Sequence, residues 1–362
     1  DVWIVGGGDP NISGRFYLAP ETLLLSWAKR LKTMGIHEIR GNLVMDDRLF
    51  DREWLHPDWD PRDRIYWYSA EVSALSLNDN CIDLDILGSR RGVQVNLSPQ
   101  TNYITLVNRL SLGRHSLYRS RKKNQIFLTG SFPRRGRRQI SVTIHNPPLY
   151  FGTVFSECLK KADIQWKGKI RLAQKDEKRP PSILVVDHTD SLRTVLSVIN
   201  KRSQNLHAEM VFKLLGKKLG GEGSFEGGRK AVQFFLKKAK ISLPHVIRDG
   251  SGLSRKNRLS PKLLIALLRW MAQTPQGAPF RHTLAISGRD GTLRKRLNKP
   301  HTFGRIFAKT GTLKRVSALS GYAYHGKEKK WYVFSILSNG IPSSQAKRLE
   351  DQILDIWLGE RQ

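Results

Sequence analysis

The sequence is poor in acidic residues and in cysteine. Its 362 residues include 31 Asp and Glu against 62 Lys and Arg, so the formal net charge is +31. The two cysteines, Cys81 and Cys158, are too few for a disulfide framework, and their spacing fits no zinc motif. They pair in an oxidising compartment or stay free and buried, and the sequence leaves both alternatives open. No metal and no other cofactor is expected.

The sequence also lacks long apolar runs and nucleotide-binding loops. Residues 263–268 form one of the longest apolar runs, which is far shorter than a transmembrane helix. The glycine-rich segments 6–8 and 220–228 do not have the spacing of dinucleotide-binding or phosphate-binding loops. The chain begins at Asp1 instead of Met, which indicates an N-terminus that has been lost or processed. The missing signal peptide therefore says little about localisation.

What the sequence has in excess is positive charge. Hydrophobic residues make up 39% and charged residues 26%, which is typical of a folded protein long enough for two domains. The basic excess favours a polyanionic environment: nucleic acid, an anionic membrane face or a bacterial envelope. Residues 109–138 contain many basic residues and no acid. This segment predicts either solvated basic turns or an anion-binding surface, with equal weight.

The first half of the chain is predicted to mix strands and helices. A strand is expected over residues 1–10 and a helix over 20–35, followed by a strand at 43–45. Alternating apolar and polar residues over 81–144 predict small antiparallel sheets with one face in water. A charged segment with prolines at 175–181 is typical of a domain boundary.

The second half changes to long helices and one meander of strands. Ser260 is a suitable N-cap for one of the helices. Strands at 304–310, 316–324 and 331–338 predict an antiparallel meander. A last helix, about 343–358, is expected to cover this sheet with one apolar face. The residues of that predicted face are Ala346, Leu349, Ile353 and Trp357.

Two polar groups carry the candidate chemistry. Lys309, Thr310 and Gly311 lie at the exit of a predicted edge strand. There a lysine attracts a carboxylate, a threonine hydroxyl bonds it, and a glycine lets the substrate backbone come close. Ser203 and Asn205 interrupt two helices and point the same way if that turn is extended.

A serine–lysine acyltransferase needs parts of this kind. It uses a lysine that acts as a base when a crowded cationic pocket lowers its pKa. It also uses a second serine that passes a proton to the leaving amine, and an asparagine that holds the substrate amide. Asp46 and Asp47 are a poor acid/base pair, because adjacent residues of a strand point to opposite faces.

In this order, the motifs resemble those of the class C low-molecular-mass penicillin-binding proteins. This is the D-alanyl-D-alanine carboxypeptidase/endopeptidase family of the penicillin-binding protein 4 type, and the resemblance extends over nearly the whole chain. It rests on Gly6-Gly7-Gly8-Asp9-Pro10, Gly41-Asn42-Leu43 with Asp46 and Phe50, Tyr68-Ser69-Ala70 with Asn80-Cys81, Ser203-Gln204-Asn205-Leu206, Asp249-Gly250-Ser251-Gly252-Leu253-Ser254 and Ala308-Lys309-Thr310-Gly311-Thr312.

The resemblance implies an α/β (α+β) fold. Its core would be a penicillin-recognising serine transpeptidase/β-lactamase-like domain, with an antiparallel sheet flanked by helices and with inserted small β-rich domains. Residues 1–180 would be the insertion and 181–362 the C-terminal half of the catalytic domain. The implied activity is serine-type D-Ala-D-Ala carboxypeptidase/endopeptidase action on peptidoglycan stem peptides through an acyl-enzyme.

The resemblance also implies roles for single residues. Ser203, Asn205 and Lys309 would be catalytic. The acidic residue that reaches towards the amino group of the peptide stem would be Asp46, for which an ordinary turn aspartate is the alternative. The strand residues expected to bind substrate are Thr310, Gly311 and Thr312.

Partners and location follow from the same resemblance. The expected inhibitors are β-lactams, and an anionic cell-wall surface is the expected partner of the basic exterior. No specific nucleic acid is expected. The implied location is the periplasm or the extracytoplasmic face of the cell envelope.

The family's first motif, Ser-x-x-Lys, lies upstream of the Gly-Gly-Gly-Asp-Pro region, so this chain is expected to start after it. Ser120 with Lys123 and Ser344 with Lys347 match the spacing, but the first pair lies in a basic loop and the second at the head of the last helix. No nucleophile is assigned. The 362-residue chain is therefore expected to be inactive and to form no stable penicillin adduct.

Two alternatives remain. One is a catalytically silent protein that binds the cell wall, in which the nucleophile motif is absent from the gene. The other is a basic nucleic-acid-binding protein, suggested by the net charge of +31. No helix-turn-helix, zinc finger or RNP-type aromatic motif supports the second alternative.

Overall fold

The computed structural model describes residues 1–359, which form two units. The first unit comprises residues 1–189 and 222–224, and the second comprises residues 190–221 and the chain from Phe225 onward. The sequence placed the change near residue 180. In the structure the first unit extends to Thr189, through a segment without helix or strand. That the first unit is an insertion into a catalytic domain stays a prediction.

The first unit begins with an α/β part and continues with short strands. In chain order its helices and strands are β1 (Val2–Val5), α1 (Thr22–Thr33), β2 (Glu38–Ile39), β3 (Leu43–Asp46), β4 (Cys81–Ser89), β5 (Gly92–Ser98), β6 (Thr105–Leu112), β7 (Ser116–Lys122), β8 (Gln125–Phe132), β9 (Arg137–Thr143), α2 (Pro147–Lys161), β10 (Gln165–Trp166) and β11 (Ile170–Leu172).

The α/β part is built around a parallel three-stranded sheet in the order β1-β3-β11. Strand β3 is buried along its whole length, because it lies between two strands and packs against α2. Helix α2 is capped by Asn146, whose side chain accepts a hydrogen bond from the backbone N–H of Leu149 at 3.3 Å. This packing places Asp46 at the carboxyl end of the central strand.

The β-rich part confirms the predicted strands but not all of their directions. Strands β5-β4-β9 form an antiparallel sheet, as expected. The second sheet has the order β6-β8-β7, and its β6–β8 pair is parallel, so the prediction of purely antiparallel sheets was wrong. Strand β8 lies between β6 and β7, so these two consecutive strands do not pair with each other as they would in a meander.

The second unit consists of helices around one sheet. In chain order its helices and strands are α3 (Leu192–Ser197), α4 (Asn205–Leu219), α5 (Phe225–Lys238), α6 (Pro261–Ala272), α7 (Gly277–Thr283), β12 (Ala285–Ile286), β13 (Ile306–Leu313), β14 (Val316–His325), β15 (Lys330–Asn339) and α8 (Ser343–Gly359).

The sheet of the second unit is the predicted antiparallel meander, in the order β12-β13-β14-β15. On one face, Leu354 of α8 packs in the same buried cluster as Ala308 and Leu319. On the other face, Leu268 of α6 packs with Phe307 of β13. The sheet is thus flanked by helices on both faces, which gives β13 a rigid frame.

Helix α8 is present where predicted, but only two of the four residues of its predicted apolar face pack inward: Ala346 is buried, and Trp357 packs against the buried cluster under the sheet. Leu349 and Ile353 are 46% and 43% exposed. Glu350 lies on the buried face because its carboxylate accepts hydrogen bonds from Ser317 at 2.6 Å and from Arg296 at 2.8 Å. Apolar periodicity excludes glutamate from a buried face, so Glu350 was missed and the exposed Leu349 and Ile353 were placed there instead. The other buried residues of this helix are Ala346, Leu354 and Leu358.

The structure shows the state of the two cysteines and the character of the helices. Cys81 and Cys158 are both free and buried, so of the two alternatives the structure has the unpaired one. In the part of the chain that the structure describes, no helix combines the length and the apolar character needed to cross a membrane.

Candidate active site

Lys309 lies in the middle of strand β13, with its side chain half-buried. Its ammonium nitrogen Nζ is 2.7 Å from Ser203 Oγ and 2.6 Å from the carbonyl oxygen of Thr310. Burial lowers the pKa of Lys309 to about 8. The structure therefore brings together the lysine and the serine that the sequence singled out.

The position of this lysine within the strand differs from the expectation. The sequence placed Lys309 and Thr310 at the exit of a strand ending at residue 310, but β13 continues to Leu313. Gly311 pairs with Ala318 and does not end the strand. The ladder to β14 supplies the backbone hydrogen bonds that carry the strand past the glycine.

One edge of β13 is only partly covered. Strand β12 pairs with Phe307 and Ala308 alone. From Lys309 to Leu313, no strand in residues 1–359 pairs with this edge. On this edge the Thr310 carbonyl accepts from Lys309 Nζ, and the other backbone groups of the motif that face it are open to an extended ligand lying along the strand.

Ser203 is held at a sharp change of chain direction. Helix α3 passes into a single π-helical turn, Val198–Arg202, and Ser203 follows with φ 58° and ψ 46°. The condition of an extended turn, under which Ser203 and Asn205 would point the same way, is not met at Ser203; only Gln204, at φ −82° and ψ 112°, is extended. A left-handed serine after a π-turn is an uncommon conformation that is enriched at functional sites.

Asn205 is the first residue of α4 and is half-buried. It follows Ser203 by two residues, so the same turn places both near the amino end of this helix. The preceding turn is anchored by Asn200, whose side-chain amide donates a hydrogen bond to Thr283 Oγ1 at 2.8 Å. Asn205 is thus held at the start of a helix that packs firmly against α5.

The other strand residues differ in exposure. Thr310 is 8% exposed, whereas Gly311 is half-buried and Thr312 is exposed. The hydroxyl of Thr310 donates to Thr292 Oγ1 at 2.8 Å. Thr292 belongs to a short 3₁₀ turn, Gly291–Leu293, which was not among the candidate site residues predicted from the sequence. Its signal was the Asp290-Gly291 pair, a turn dipeptide.

A second group of residues near the start of α4 was also missed. Glu209, one helical turn after Asn205, is fully buried. Its carboxylate accepts hydrogen bonds from the backbone N–H of Gly250 at 2.9 Å and of Ser251 at 2.8 Å. Burial, followed by repulsion from Asp249, raises the pKa of Glu209 to about 7. Its sequence signal was an acid at a helix position between apolar residues.

Asp249 stabilises the same loop from within. Its carboxylate accepts from the backbone N–H of Gly252 at 3.0 Å and of Ser254 at 2.6 Å, and from the side chain of Asn257 at 2.8 Å. The segment that carries the Asp-Gly-Ser-Gly-Leu-Ser motif is therefore folded onto two buried carboxylates. It is connected through Glu209 to the helix that starts at Asn205.

Asp46, in the first unit, is bound by a neighbouring cation. Both oxygens of its carboxylate accept hydrogen bonds from Arg48, at 2.7 Å to Nε and 2.7 Å to Nη2. This pairing lowers the pKa of Asp46. The carboxylate lies at a cavity of about 330 Å³ within the first unit. That cavity is lined by Val5, Gly6, Asp46, Arg48, Leu49 and Lys175.

The described residues contain no group of His, Cys, Asp and Glu arranged to hold a metal ion.

The two Ser-x-x-Lys segments of this chain lie away from Lys309 in the sequence and form parts of a strand and a helix. Ser120 lies on β7 of the first unit, and Ser344 lies in the first turn of α8. Within residues 1–359, neither side chain forms a hydrogen bond with Lys309.

A serine and a lysine that meet beside an antiparallel sheet flanked by helices agree with the arrangement expected of a penicillin-binding serine peptidase. The model of the D-Ala-D-Ala carboxypeptidase 3 (S13) family matches residues 1–360, and the chain belongs to this family. It is therefore a hydrolase of the D-Ala-D-Ala carboxypeptidase class, as the resemblance implied. Membership of a peptidase family does not favour the two alternative functions.

Individual relatives agree with the family. A D-alanyl-D-alanine carboxypeptidase of Actinomadura sp. (strain R39) is 30% identical over 98% of this chain and 68% of the relative. D-alanyl-D-alanine carboxypeptidase DacB of Haemophilus influenzae is 26% identical over 90% of this chain and 71% of the relative. The crystal structure of penicillin binding protein 4 (dacB) from Haemophilus influenzae matches with a TM-score of 0.83. That match covers 98% of this chain and 82% of the other at 23% identity, and it shows the fold.

Proposed function

We propose that Ser203, Asn205, Lys309 and the strand residues Thr310–Thr312 form the substrate-binding wall of a D-Ala-D-Ala carboxypeptidase/endopeptidase site. The observation that carries this proposal is the environment of Lys309. Its ammonium group contacts two neutral oxygens, at 2.7 and 2.6 Å, and forms no ion pair within residues 1–359. A partly buried cation without an acid is costly, and an incoming carboxylate offsets that cost.

The hydrogen bonds of Lys309 determine which protons Lys309 and Ser203 can donate to a substrate. An ammonium has three protons, and two are used for Ser203 and the Thr310 carbonyl, so one remains for a substrate carboxylate. Ser203 accepts from the lysine and keeps its own proton. That proton can pass to the leaving amine nitrogen when the peptide C–N bond breaks, and Lys309 can return a proton to the serine oxygen. The proton that the acylated serine loses when its C–O bond forms then restores the ammonium.

The acylated residue itself is a nucleophilic serine to which we assign no number in this chain. A Lys309 pKa of about 8 suits proton return near neutral pH, because a group whose pKa lies close to the working pH gives up and regains its proton readily. Asn205 is proposed to bind the substrate amide.

The open edge of β13 supports binding of an extended peptide end. The terminal residues of the substrate would continue the sheet beside Lys309, with Thr310 and Thr312 bonding the terminal carboxylate. A Cβ at Gly311 would meet only Ala318 Cβ, at 3.3 Å, so packing within the sheet would tolerate a larger residue with a small adjustment. The glycine suits close approach of a ligand backbone from the open side.

The proposal is tested by removing one hydroxyl. In the full-length protein, Ser203→Ala should lower D-Ala release from a D-Ala-D-Ala peptide by roughly a hundredfold, the usual scale of one acid/base group. The matched control is Ser26→Ala, an exposed serine of α1 in the first unit, which should leave the rate unchanged. Equal rates in the two variants contradict the proposal.

The acylation site is checked in the same protein. Intact-mass measurement after incubation with a labelled penicillin, followed by peptide mapping, identifies the modified serine. An adduct on Ser203 or Ser251 would show that the nucleophile lies within this chain and that the role given to Ser203 is wrong. We also propose that β-lactams inhibit the protein, since penicillin binding protein 4 of Haemophilus influenzae has been crystallised with a β-lactam.

We also propose an extracytoplasmic or periplasmic location in contact with anionic cell-wall polymers. The first unit presents basic side chains that are not neutralised internally. Arg119 lies over the ring of Tyr66 at 4.9 Å and its Nε is buried without a hydrogen-bond partner in the described chain. Arg121 donates to the carbonyl oxygens of Lys123 and Arg64, and no carboxylate pairs with it in residues 1–359. Unpaired arginines of this kind favour an anionic partner.

Binding to purified sacculi tests this partner. Retention should fall strongly between low and high salt, since interactions between exposed charges are screened within a Debye length of about 8 Å at 0.15 M salt. Replacement of Arg119 and Arg121 by Gln should weaken retention at low salt. Salt-independent retention would contradict electrostatic binding.

A further inference from the structure

The hydroxyl of Thr310 is already engaged before any ligand arrives. Thr310 is 8% exposed, and its Oγ1 lies 2.8 Å from Oγ1 of Thr292. Thr292 is exposed, on a different element, the 3₁₀ turn Gly291–Leu293. Because Thr292 is exposed, water could satisfy its hydroxyl, and Thr292 does not need the buried Thr310 as a partner. Packing alone therefore does not explain why the two hydroxyls meet.

The position of Thr292 is fixed from both sides. Before it, Asp290 accepts hydrogen bonds from the backbone N–H of Ile286 at 2.9 Å and from Lys201 Nζ at 2.5 Å. After it, Leu293 is fully buried in the cluster under the sheet. The turn that carries Thr292 is thus tied to β12 and to the π-turn that precedes Ser203.

Gly291 brings these segments close together. It has φ +57°, and a Cβ at this position would lie 2.7 Å from the carbonyl oxygen of Lys201. Any other residue would be strained here and would push the turn away from the π-turn. The close approach therefore sets the distance between the Thr292 hydroxyl and the site.

Thr310 has a single hydroxyl proton, which limits the number of hydrogen bonds that it can donate. A threonine hydroxyl donates one hydrogen bond and accepts two. In the structure, Thr310 donates its proton to Thr292. To donate to a substrate carboxylate, Thr310 must turn that proton away, and its buried oxygen then needs a donor from elsewhere.

We propose that Thr292 is a positioning residue of the carboxylate site, acting through Thr310. When a substrate carboxylate binds, Thr310 turns its proton to the carboxylate and Thr292 donates its own proton to Thr310 Oγ1. Two protons reorient, no covalent bond breaks, and each hydroxyl keeps a partner. The ligand class is a peptide or lactam that carries a free carboxylate. This inference rests on the function proposed above, in which Thr310 binds that carboxylate.

The test separates the hydroxyl from the shape of the side chain and from the charge of the ligand. In the full-length protein, Thr292→Val removes the hydroxyl with little change in shape, and Thr292→Ser keeps it. Rate constants of acylation are measured by intact mass with benzylpenicillin and with its methyl ester, which lacks the carboxylate. Thr292→Val should slow acylation by the acid about 3- to 10-fold, the scale of one hydrogen bond.

Three outcomes support the proposal together. The loss in Thr292→Val is confined to the acid, with less than a twofold change for the ester. Thr292→Ser restores most of the lost rate. In a double-mutant cycle, Thr310→Val loses little more when Thr292→Val is added, because the second hydroxyl acts through the first.

Other outcomes overturn it. An equal loss on acid and ester shows that Thr292 only supports the local fold, and no loss shows that Thr310 needs no second hydroxyl. If Thr292→Val is poorly folded by thermal unfolding, Thr292→Ala and Thr292→Ser are compared instead by the same acid-to-ester ratio. Lys309→Ala is run in parallel: unchanged acylation there refutes the proposed function itself, whereas a normal Lys309 effect with no Thr292 effect refutes only this inference.

Discussion

Asp46 in the first unit and Lys309 in the second are both charged side chains on strands, but their charges are balanced differently. Asp46 is held at both carboxylate oxygens by Arg48, two residues further along the chain. Lys309 contacts only neutral oxygens in the described chain. A carboxylate that is already paired has little to gain from a ligand, whereas a partly buried ammonium without an acid has much to gain from an anion. The charge of the substrate carboxylate is therefore expected to be bound in the second unit, at Lys309.

The largest expected effect is the removal of Lys309. In the full-length protein, Lys309→Ala should lower acylation by penicillin by roughly a thousandfold, the scale of losing a desolvated charge partner of the ligand carboxylate. Stopped-time samples analysed by intact mass give the rate constant. The matched control is Lys314→Ala, an exposed lysine one residue beyond β13, which should behave like the wild type. A similar rate in both variants would show that Lys309 does not bind the ligand carboxylate.

The next effect concerns Glu209, a carboxyl whose pKa is raised to about 7, in contrast to the lowered pKa of Asp46. Because the folded pKa is above the ordinary value of 4.5, this group contributes stability that is fully present below pH 4.5 and lost as the pH rises through about 7. The loss should amount to roughly 2 to 3 kcal/mol.

Urea unfolding of wild type and Glu209→Gln at several pH values between 4.5 and 8 measures this contribution. The amide does not titrate, so the variant should gain on the wild type as the pH rises. Asp249, whose charge contributes to the raised pKa of Glu209, is present in both proteins. A constant difference between the two proteins across this range would show that Glu209 does not titrate there.

A smaller effect is expected from titration of Lys309. Since its pKa is about 8, the ammonium is charged at neutral pH and loses its proton above pH 8. The KM for a substrate with a free carboxylate should rise above this pH, towards tenfold per pH unit, because the neutral amine no longer attracts the anion. Steady-state kinetics from pH 6 to 10 provide the measurement. A flat KM up to pH 10 would mean that another cation binds the carboxylate.

The smallest effect is expected at Asp46, whose role in substrate binding remains a prediction. Asp46→Ala should raise the KM about 3- to 10-fold for peptides with a free amino group on the stem and leave simple acyl-D-Ala-D-Ala substrates unchanged. The KM values of both substrates are compared in the full-length protein. Equal losses on both would assign Asp46 a purely structural role with Arg48, and the contrast between the two charged sites would become sharper.

The sequence was informative where local patterns decide the outcome. The meander β13–β15 follows from period-two apolar residues, and Ser260 caps α6 as expected, accepting from the N–H of Leu263 at 3.2 Å. Lys309 and Ser203 were both singled out as residue types that suit acyl transfer. Their contact at 2.7 Å joins residues 106 positions apart and required the folded chain.

The features that the sequence did not predict all depend on distant partners. The parallel β6–β8 pair results from the position of β8 between its neighbours. Glu350 is buried because Arg296 and Ser317 neutralise it, and Thr292 matters only because Thr310 lies beside it. The left-handed Ser203 follows a π-turn, which no local propensity indicates. Local patterns contain no information about such contacts.

The open edge of β13 has a consequence for the behaviour of the protein in concentrated solution. From Lys309 to Leu313 this edge presents backbone N–H and C=O groups to which no strand of residues 1–359 is paired. Edges of this kind also attract strands from other molecules and so promote self-association. A ligand lying along β13 and a second protein chain would compete for the same hydrogen bonds. Occupancy of the site should therefore delay aggregation on heating, beyond the increase in Tm that mass action alone provides.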